Sequence, residues 1–282
     1  KDIDIVCFDI QDVGSRFYTY IYTMAYAMQA CAENDKTFVV FDRPNPINGN
    51  VVEGFILKEE FTSFVGLYPI TQRHGMTVGE LSLMFNKEFG INCNLKVIPI
   101  KNWSRSSYFE DLPLVWIPSS PNIPNSNTAL VYSGICLFEG TNLSVGRGTT
   151  LPFHYLGAPF INADDLVEKL NNENLKGVKF FPAYFTPSSS IYKDQACEGV
   201  YIAVKDKQSF QPVRVAIKIF NIIKKTYPEF RINDEKMKRC GLNLLFGNAS
   251  LNEKNIDEKA LFKAMILDEK KFIKKRQPYL LY

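Results

Sequence analysis

A strand, helix and strand in quick succession near the amino-terminal end restrict this chain to α/β architectures with parallel pairing. Ile3, Ile5, Val6 and Phe8 form an apolar strand pattern, and Ile21, Met24, Ala25, Met28 and Cys31 follow at the spacing of one buried helical stripe. Residues 37–41 then give a second strand. A helix between two strands implies a crossover, so the strands run parallel with right-handed connection. At 282 residues and 46% hydrophobic content, the chain can bury one large core or two ordinary ones.

Downstream, Thr77 and Glu80 carry the T-x-x-E spacing of a capping box, with Leu81, Phe85 and Phe89 on the face of the helix that follows. Residues 95–100 and 114–117 are the next expected strands, the second running into Pro118 and then Pro121 and Pro124, which hold an extended path. Beyond Phe153 the texture becomes lysine-rich. Helices are expected over 163–171, 213–225, 235–245 and 257–275, and strands over 178–184 and 200–204. This pattern is a second, smaller α/β domain, its boundary near residues 150–158. A strand starting at residue 3 normally has neighbours built from earlier chain, so the sequence is expected to be part of a longer protein.

Composition excludes several function classes. The net charge is only +3, without the basic face and reader motif that nucleic-acid binding needs. The basic cluster Lys270, Lys271, Lys274, Lys275 and Arg276 suits the solvated last turn of a helix, where cations offset the macrodipole. Six cysteines, at 7, 31, 93, 136, 197 and 240, stand singly, which favours buried free thiols. With only two histidines, His74 and His154, a zinc site is not expected. No apolar run approaches the ~20 residues needed to span a bilayer.

Chemistry-bearing residues concentrate where the first two strands end, the usual ligand position in open α/β sheets. The first cluster holds Asp9, Gln11, Asp12 and Arg16; the second holds Asp42, Arg43, Asn45 and Asn48. Asp9 and Asp12 either face a ligand or cap the helix beginning near Phe17 and pair with Arg16. Arg43 either presents its planar fork to an acid or braces a proline turn against Asp42. His74, flanked by Arg73 and Gly75 just before a helix, is placed for acid–base work or for a structural hydrogen bond. His154 suits packing, Glu80 suits a cap, and Glu53 is open between the two readings. Tyr18, Tyr20, Tyr22 and Tyr26 suit core and helix surface, with sugar stacking as the lesser alternative. The loop from Phe138 to Thr150 gathers Glu139, Asn142 and Arg147 among glycines, but without the order of a phosphate-binding loop. No G-x-G-x-x-G follows the first strand and no G-x-S-x-G elbow occurs, so dinucleotide binding and serine esterase chemistry are both disfavoured.

Taken together, FDIQDVGSRFYTYIYTMAYAM, FDRPNPINGNVVEG, GLYPITQRHGMTVGEL, SSPNIPN, LVYSGICLFEGTNLSVGRGTTLPF and the terminal RQPYLLY resemble the NamZ exo-β-N-acetylmuramidases, in order from residue 3 to residue 282. The resemblance implies a Rossmann-like parallel-sheet domain, N-terminally incomplete, over residues 1–155. A smaller α/β domain over 156–282 would complete a cleft. It implies hydrolysis of terminal non-reducing N-acetylmuramic acid from peptidoglycan fragments by an exported bacterial protein. No cofactor and no metal are expected. It carries over Asp9, Gln11, Asp12, Gly14, Arg16, Tyr18, Tyr20, Asp42, Arg43, Asn45, Asn48, His74, Gly75, Glu139, Asn142 and Arg147. Ser133 stands where the family has proline in LVYPG. The family's upstream Gly-Pro-Glu-His-Gly stretch, which holds a leading catalytic glutamate, has no counterpart in this sequence.

The expected reaction is glycoside cleavage, in which a carboxylic acid protonates the leaving oxygen and an oxocarbenium-like transition state is stabilised. Asp9, Glu139 and His74 are the expected catalytic groups. Gln11, Asp12, Arg16, Tyr20, Asp42, Arg43, Asn45, Asn48, Asn142 and Arg147 are the expected substrate-binding groups, with Arg43 and Arg147 set against the lactyl carboxylate of the sugar and Arg16 more internal. The expected partners are peptidoglycan-derived saccharides or muropeptides. The alternative is a muropeptide-binding protein of the same fold without turnover.

Overall fold

The computed structural model describes residues 2–232 and 241–282. They form two compact units, one of Lys1–Ser119 with Lys263–Tyr282, the other of Ser120–Phe262.

In the first unit β1 (Ile5–Phe8), β2 (Thr37–Phe41) and β3 (Asn94–Ile98) make a parallel sheet in that order, with Ile5 opposite Thr37 and Phe41 opposite Ile98. α1 (Tyr20–Glu33) crosses from β1 to β2 and buries the stripe Ile21, Met24, Ala25, Met28 and Cys31. α2 (Val78–Glu88) starts on the expected capping box: Thr77 accepts from the Glu80 amide and Glu80 accepts from the Thr77 amide. The core is Phe8, Phe38 and Val40 from the sheet with Met24, Met28, Leu81, Met84 and Phe85 from the helices, closed by Phe272 and Tyr279 near the carboxyl end.

Three expectations are corrected. The first strand is not buried throughout, since Ile3 and Ile5 are 59% and 54% exposed; α1 and α2 pack on the sheet face that Phe38 and Val40 share, and Ile5, Cys7 and Phe41 lie outside it. Residues 114–117 make no strand, and Leu114, Val115 and Ile117 are exposed. Pro113 and Pro118 at its ends lack the N–H groups that a ladder would use. The thiols of Cys31, Cys93, Cys136 and Cys197 are buried as free cysteines, but Cys7 is exposed, and Cys240 lies outside the described residues.

The second unit is built on an antiparallel sheet of β4 (Tyr155–Ala158), β5 (Val178–Phe185) and β6 (Cys197–Val204), in the order β4-β6-β5. Gly157 and Gly199 face each other across β4 and β6, where a Cβ on Gly199 would stand 2.1 Å from the Leu156 carbonyl oxygen. Helices α3 (Ser126–Ile135), α4 (Ala163–Asn172) and α5 (Pro212–Thr226) belong to the same unit, α4 and α5 matching the expected segments and α3 adding one that the sequence pattern missed. Asn125 and Asn162 cap α3 and α4 through their side-chain oxygens. Of the helix expected over 235–245, residues 233–240 lie outside the described residues, and the remainder falls in α6 (Leu242–Phe246). The last helix, α7 (Glu258–Arg276), runs from the second unit's sequence into the first's. Among the described residues no helix is long and apolar enough to cross a membrane.

His154 is packed inside the second unit, its Nδ1 3.0 Å from the Ile202 carbonyl oxygen. Burial lowers its pKa from the ordinary 6.5, against the opposing effect of that hydrogen bond. Between the folded value and 6.5 the unfolded chain therefore binds more protons than the folded one. Stability should accordingly fall as pH drops below 6.5. Melting temperatures followed downward from neutral pH should show this slope, and His154→Gln should flatten it; an unchanged slope in the variant assigns it to other groups.

Candidate functional site

The ends of β1 and β2 bring the two polar clusters of the first unit together. Asp9 Oδ1 and Arg43 Nε form a 2.8 Å ion pair, both side chains open to solvent. Gln11 donates to the carbonyls of Asp12 at 2.7 Å and Pro44 at 2.9 Å, tying the two strand ends to each other.

Behind this surface the chain is locked by buried polar groups. Asp12 Oδ2 accepts from the Gly14 amide at 2.7 Å and lies 3.4 Å from His74 Nε2. His74 is fully buried, and its Nδ1 accepts from the Met76 amide at 3.2 Å. An accepting Nδ1 carries no proton, which leaves the ring hydrogen on Nε2; that nitrogen lies 3.4 Å from Asp12 Oδ2 without forming a hydrogen bond. Asp12 Oδ1 is buried with no hydrogen-bond partner. Asn45 donates to the Met76 carbonyl and accepts from the Ile47 amide. Asn48, at φ 81°, donates to the Ser106 carbonyl and accepts from the Asn50 amide.

The first helix does not use Asp9 or Asp12 as caps: α1 starts at Tyr20, and Thr19 precedes it without a side-chain cap bond. Arg16 is buried and donates to the carbonyls of Phe55 and Ile70. Burial pushes the Arg16 guanidinium down to about 10, against a smaller opposing effect of Tyr22. Tyr20 and Tyr18 donate to the backbone and side chain of Ser119, at 2.8 and 3.0 Å.

Asp42 is likewise taken up by the fold. Its Oδ1 accepts from the amides of Arg43 and Gly79, and its Oδ2 from the hydroxyls of Thr77 and Tyr282. Burial raises the Asp42 pKa, opposed by these hydrogen bonds. The brace between Asp42 and Arg43 side chains is therefore replaced by one between Asp9 and Arg43.

In the second unit Glu139 and Arg147 form an ion pair, with Arg147 stacked 5.0 Å over the Phe153 ring. Burial pulls the Arg147 pKa down and the Glu139 charge pushes it up, with a net rise. The Cys136 thiol lies 3.5 Å from Glu139, and Tyr132 beneath is held well above its ordinary pKa by burial and by its Cys136 and Glu139 neighbours. Asn142 has a bracing position, donating to the Glu229 carbonyl and accepting from the Arg231 amide. The loop itself is pinned to β4 by a two-bond bridge between Ser144 and Gly157.

The sequence pattern shows Glu80 as a cap but not the buried cluster that it forms. Glu80, fully buried, accepts from Arg105 Nη1 at 2.5 Å and from the Leu281 amide at 2.9 Å, besides closing its capping box. Arg276, placed above among solvated cations, is instead buried at 5% exposure. The short, separate sequence signals of Arg105 and RQPYLLY gave no sign that they meet. Among the described residues no cluster of three or more His, Cys, Asp or Glu could hold a metal ion.

Two kinds of polar group result. Asp9–Arg43 presents carboxylate and guanidinium to solvent and Glu139–Arg147 does so in part, groups suited to hydroxyls and acids of a ligand. Asp42, Asn45 and Asn48 spend most of their hydrogen-bonding capacity on the chain, and Asp12 and His74 each spend one polar atom on it and leave the other buried without a partner. Asp42→Ala should therefore cost about 1–3 kcal/mol by leaving buried donors unpaired, whereas Asp9→Ala should cost only ~0–1 kcal/mol. Urea unfolding of both variants measures the difference, and equal costs would contradict the division.

Comparison with known proteins bears on both units. Residues 1–127 match the family model described as exo-β-N-acetylmuramidase NamZ, N-terminal, and residues 130–282 match its C-terminal counterpart. The chain is 46% identical over 285 aligned residues to the peptidoglycan β-N-acetylmuramidase NamZ of Bacillus subtilis strain 168, covering all of this chain and 68% of that one. A crystal structure of a DUF1343 family protein from Bacteroides fragilis superposes with a TM-score of 0.92 at 33% identity, over 100% of this chain and 76% of that one. A second DUF1343 family protein from the same organism gives a TM-score of 0.70 at 35% identity, over 99% of this chain and 75% of the other.

Proposed function

The chain belongs to the exo-β-N-acetylmuramidase NamZ family, and on that premise we propose that it hydrolyses terminal non-reducing N-acetylmuramic acid from peptidoglycan fragments. The single observation carrying this reading is that the family's motifs run through the whole chain, both units included. The exposed Asp9–Arg43 pair and the partly exposed Glu139–Arg147 pair suit the substrate's chemistry. N-acetylmuramic acid differs from N-acetylglucosamine by a lactyl ether that ends in a carboxylate, and a planar guanidinium recognises such a group with two parallel hydrogen bonds. Arg43 binds Asp9 through Nε, leaving its two Nη groups for an anion.

Glycoside cleavage also needs a carboxyl group to protonate the leaving oxygen and a second to stabilise or attack the anomeric centre. Asp9 in the first unit and Glu139 in the second are each a candidate for one of these roles, and His74, Asn45 and Asn48 hold the backbone on which the first unit's contacts stand. Arg16, Asp42 and Asn142 are framework groups in this reading. The protein acts on wall fragments outside the cytoplasm, a placement that cell fractionation tests.

The deciding assay is release of dye from a chromogenic β-N-acetylmuramide by the full-length protein, with the N-acetylglucosaminide as comparison. Muramide-selective turnover is expected. Saturable muropeptide binding without dye release would instead establish the binding-protein alternative. Glu139→Gln should lower kcat by at least ~10²-fold if this carboxyl takes part in proton transfer, and near-normal rates would remove it from that role. Arg43→Ala should raise KM for the muramide by ~10-fold and leave the glucosaminide unaffected, because only the first substrate carries the acid. Equal losses on both substrates would place Arg43 outside lactyl recognition.

A further inference from the structure

Arg276 is a buried guanidinium that no carboxylate neutralises directly among the described ion pairs of this unit. Nη1 donates to the carbonyls of Gly49 at 2.9 Å, His74 at 3.1 Å and Gly75 at 2.5 Å, and Nη2 donates to that of Asn50 at 3.0 Å. Arg105 bonds two of the same carbonyls, Gly49 and Gly75. Burial and the repulsion of Arg105 lower the Arg276 pKa to about 10, with Glu80 opposing, so it remains a cation at neutral pH. Burying such a charge is unfavourable unless its donors are satisfied, which here holds for Nη1 and Nη2 but not for Nε, and apolar residues can close a core without it.

What the guanidinium holds is informative. Its carbonyl partners come from two chain segments, 49–50 and 74–75, the second containing His74. Gly75 stands at φ +59°, and a Cβ there would lie 2.5 Å from Arg276 Nη1 and 2.6 Å from the Val51 carbonyl oxygen. The turn is thus shaped around the fork of the arginine. The same turn sets the imidazole, because the Met76 amide that follows it fixes Nδ1 as an acceptor and leaves Nε2, which has no hydrogen-bond partner, 3.4 Å from Asp12 Oδ2.

We propose that Arg276 is a positioning residue for the Asp12–His74 pair, gathering the 49–50 and 74–75 carbonyls from the far end of the chain so that the imidazole keeps its Nε2–H tautomer towards Asp12. Its kinetic consequence rests on the muramidase reading. Its structural consequence does not. Loss of the fork lets the 74–76 turn relax, and a displacement of about 1 Å in a supporting group can lower turnover by as much as ~10²-fold.

The test uses the full-length protein and three variants, R276Q, R276K and Y279F. Tyr279 lies in the same tail and donates to Glu88, away from the carbonyl cage, so Y279F loosens the tail and spares the fork. Long-range ¹H–¹⁵N correlation, assigned with His74→Gln, reads the tautomer. The wild type should show Nε2–H alone. R276Q should show a mixture of tautomers with kcat lowered at least ~10-fold and KM within ~2-fold, and R276K should recover only part, since an ammonium cannot span the four carbonyls. Y279F should lower Tm while leaving the tautomer and kcat in place. An unchanged tautomer and kcat in R276Q, or equal effects of R276Q and Y279F on both, would overturn the proposal and make Arg276 a stability clasp alone. If R276Q does not fold, R276K decides by the same two readouts. A wild type without turnover refutes the muramidase reading and leaves the tautomer experiment intact.

Discussion

The carboxylate of Asp42 is the joint on which the first unit hangs. Through four acceptor contacts it ties the end of β2 to the start of α2, at Thr77 and Gly79, and to the last residue of the chain, Tyr282. Tyr282 in turn accepts from the Ile100 amide just beyond β3 and packs edge-on against Trp103. One side chain thus connects two strand ends, a helix N-terminus and the carboxyl-terminal tail. The burial that raises its pKa opposes ionisation, and the converging donors offset that cost.

Around this joint, polar groups are sorted by depth. Those that face inward answer backbone donors and carbonyls: Arg16 on Phe55 and Ile70, Asn45 on Met76, Arg276 on the 49–50 and 74–75 segments. Irregular backbone of this kind has no ladder of its own, so its hydrogen bonds must be met by side chains. The groups left at the surface are Asp9 and Arg43 in the first unit and, partly exposed, Glu139 and Arg147 in the second. A sugar that carries an acid needs groups of that kind, and a rigid frame behind them keeps their geometry fixed.

Signals that act over a few residues are legible in the sequence. The α1 stripe, the Thr77–Glu80 capping box and the α4 and α5 segments all lie where their spacing puts them. The failures have physical causes as well. Residues 114–117 have strand composition, but the flanking prolines deny them a ladder. Ile3 and Ile5 are apolar yet exposed, because burial of a strand depends on what covers each face and not on the strand itself. The family resemblance, carried by motifs spread from residue 3 to residue 282, agrees with the match to both family models.

The sequence by itself determined the parallel βαβ start, the mixed α/β class, most helix positions, the set of polar residues and the family, since periodicity, caps and motifs are properties of neighbouring residues. Tertiary structure alone decided which of those polar residues serve the frame and which face solvent. Asp12 meets His74, Asp9 rather than Asp42 meets Arg43, and Arg276 leaves a run of solvated lysines to hold a turn two hundred residues earlier. Such pairings depend on contacts between segments distant in the chain, where spacing carries no information and only the packed backbone brings donor to acceptor.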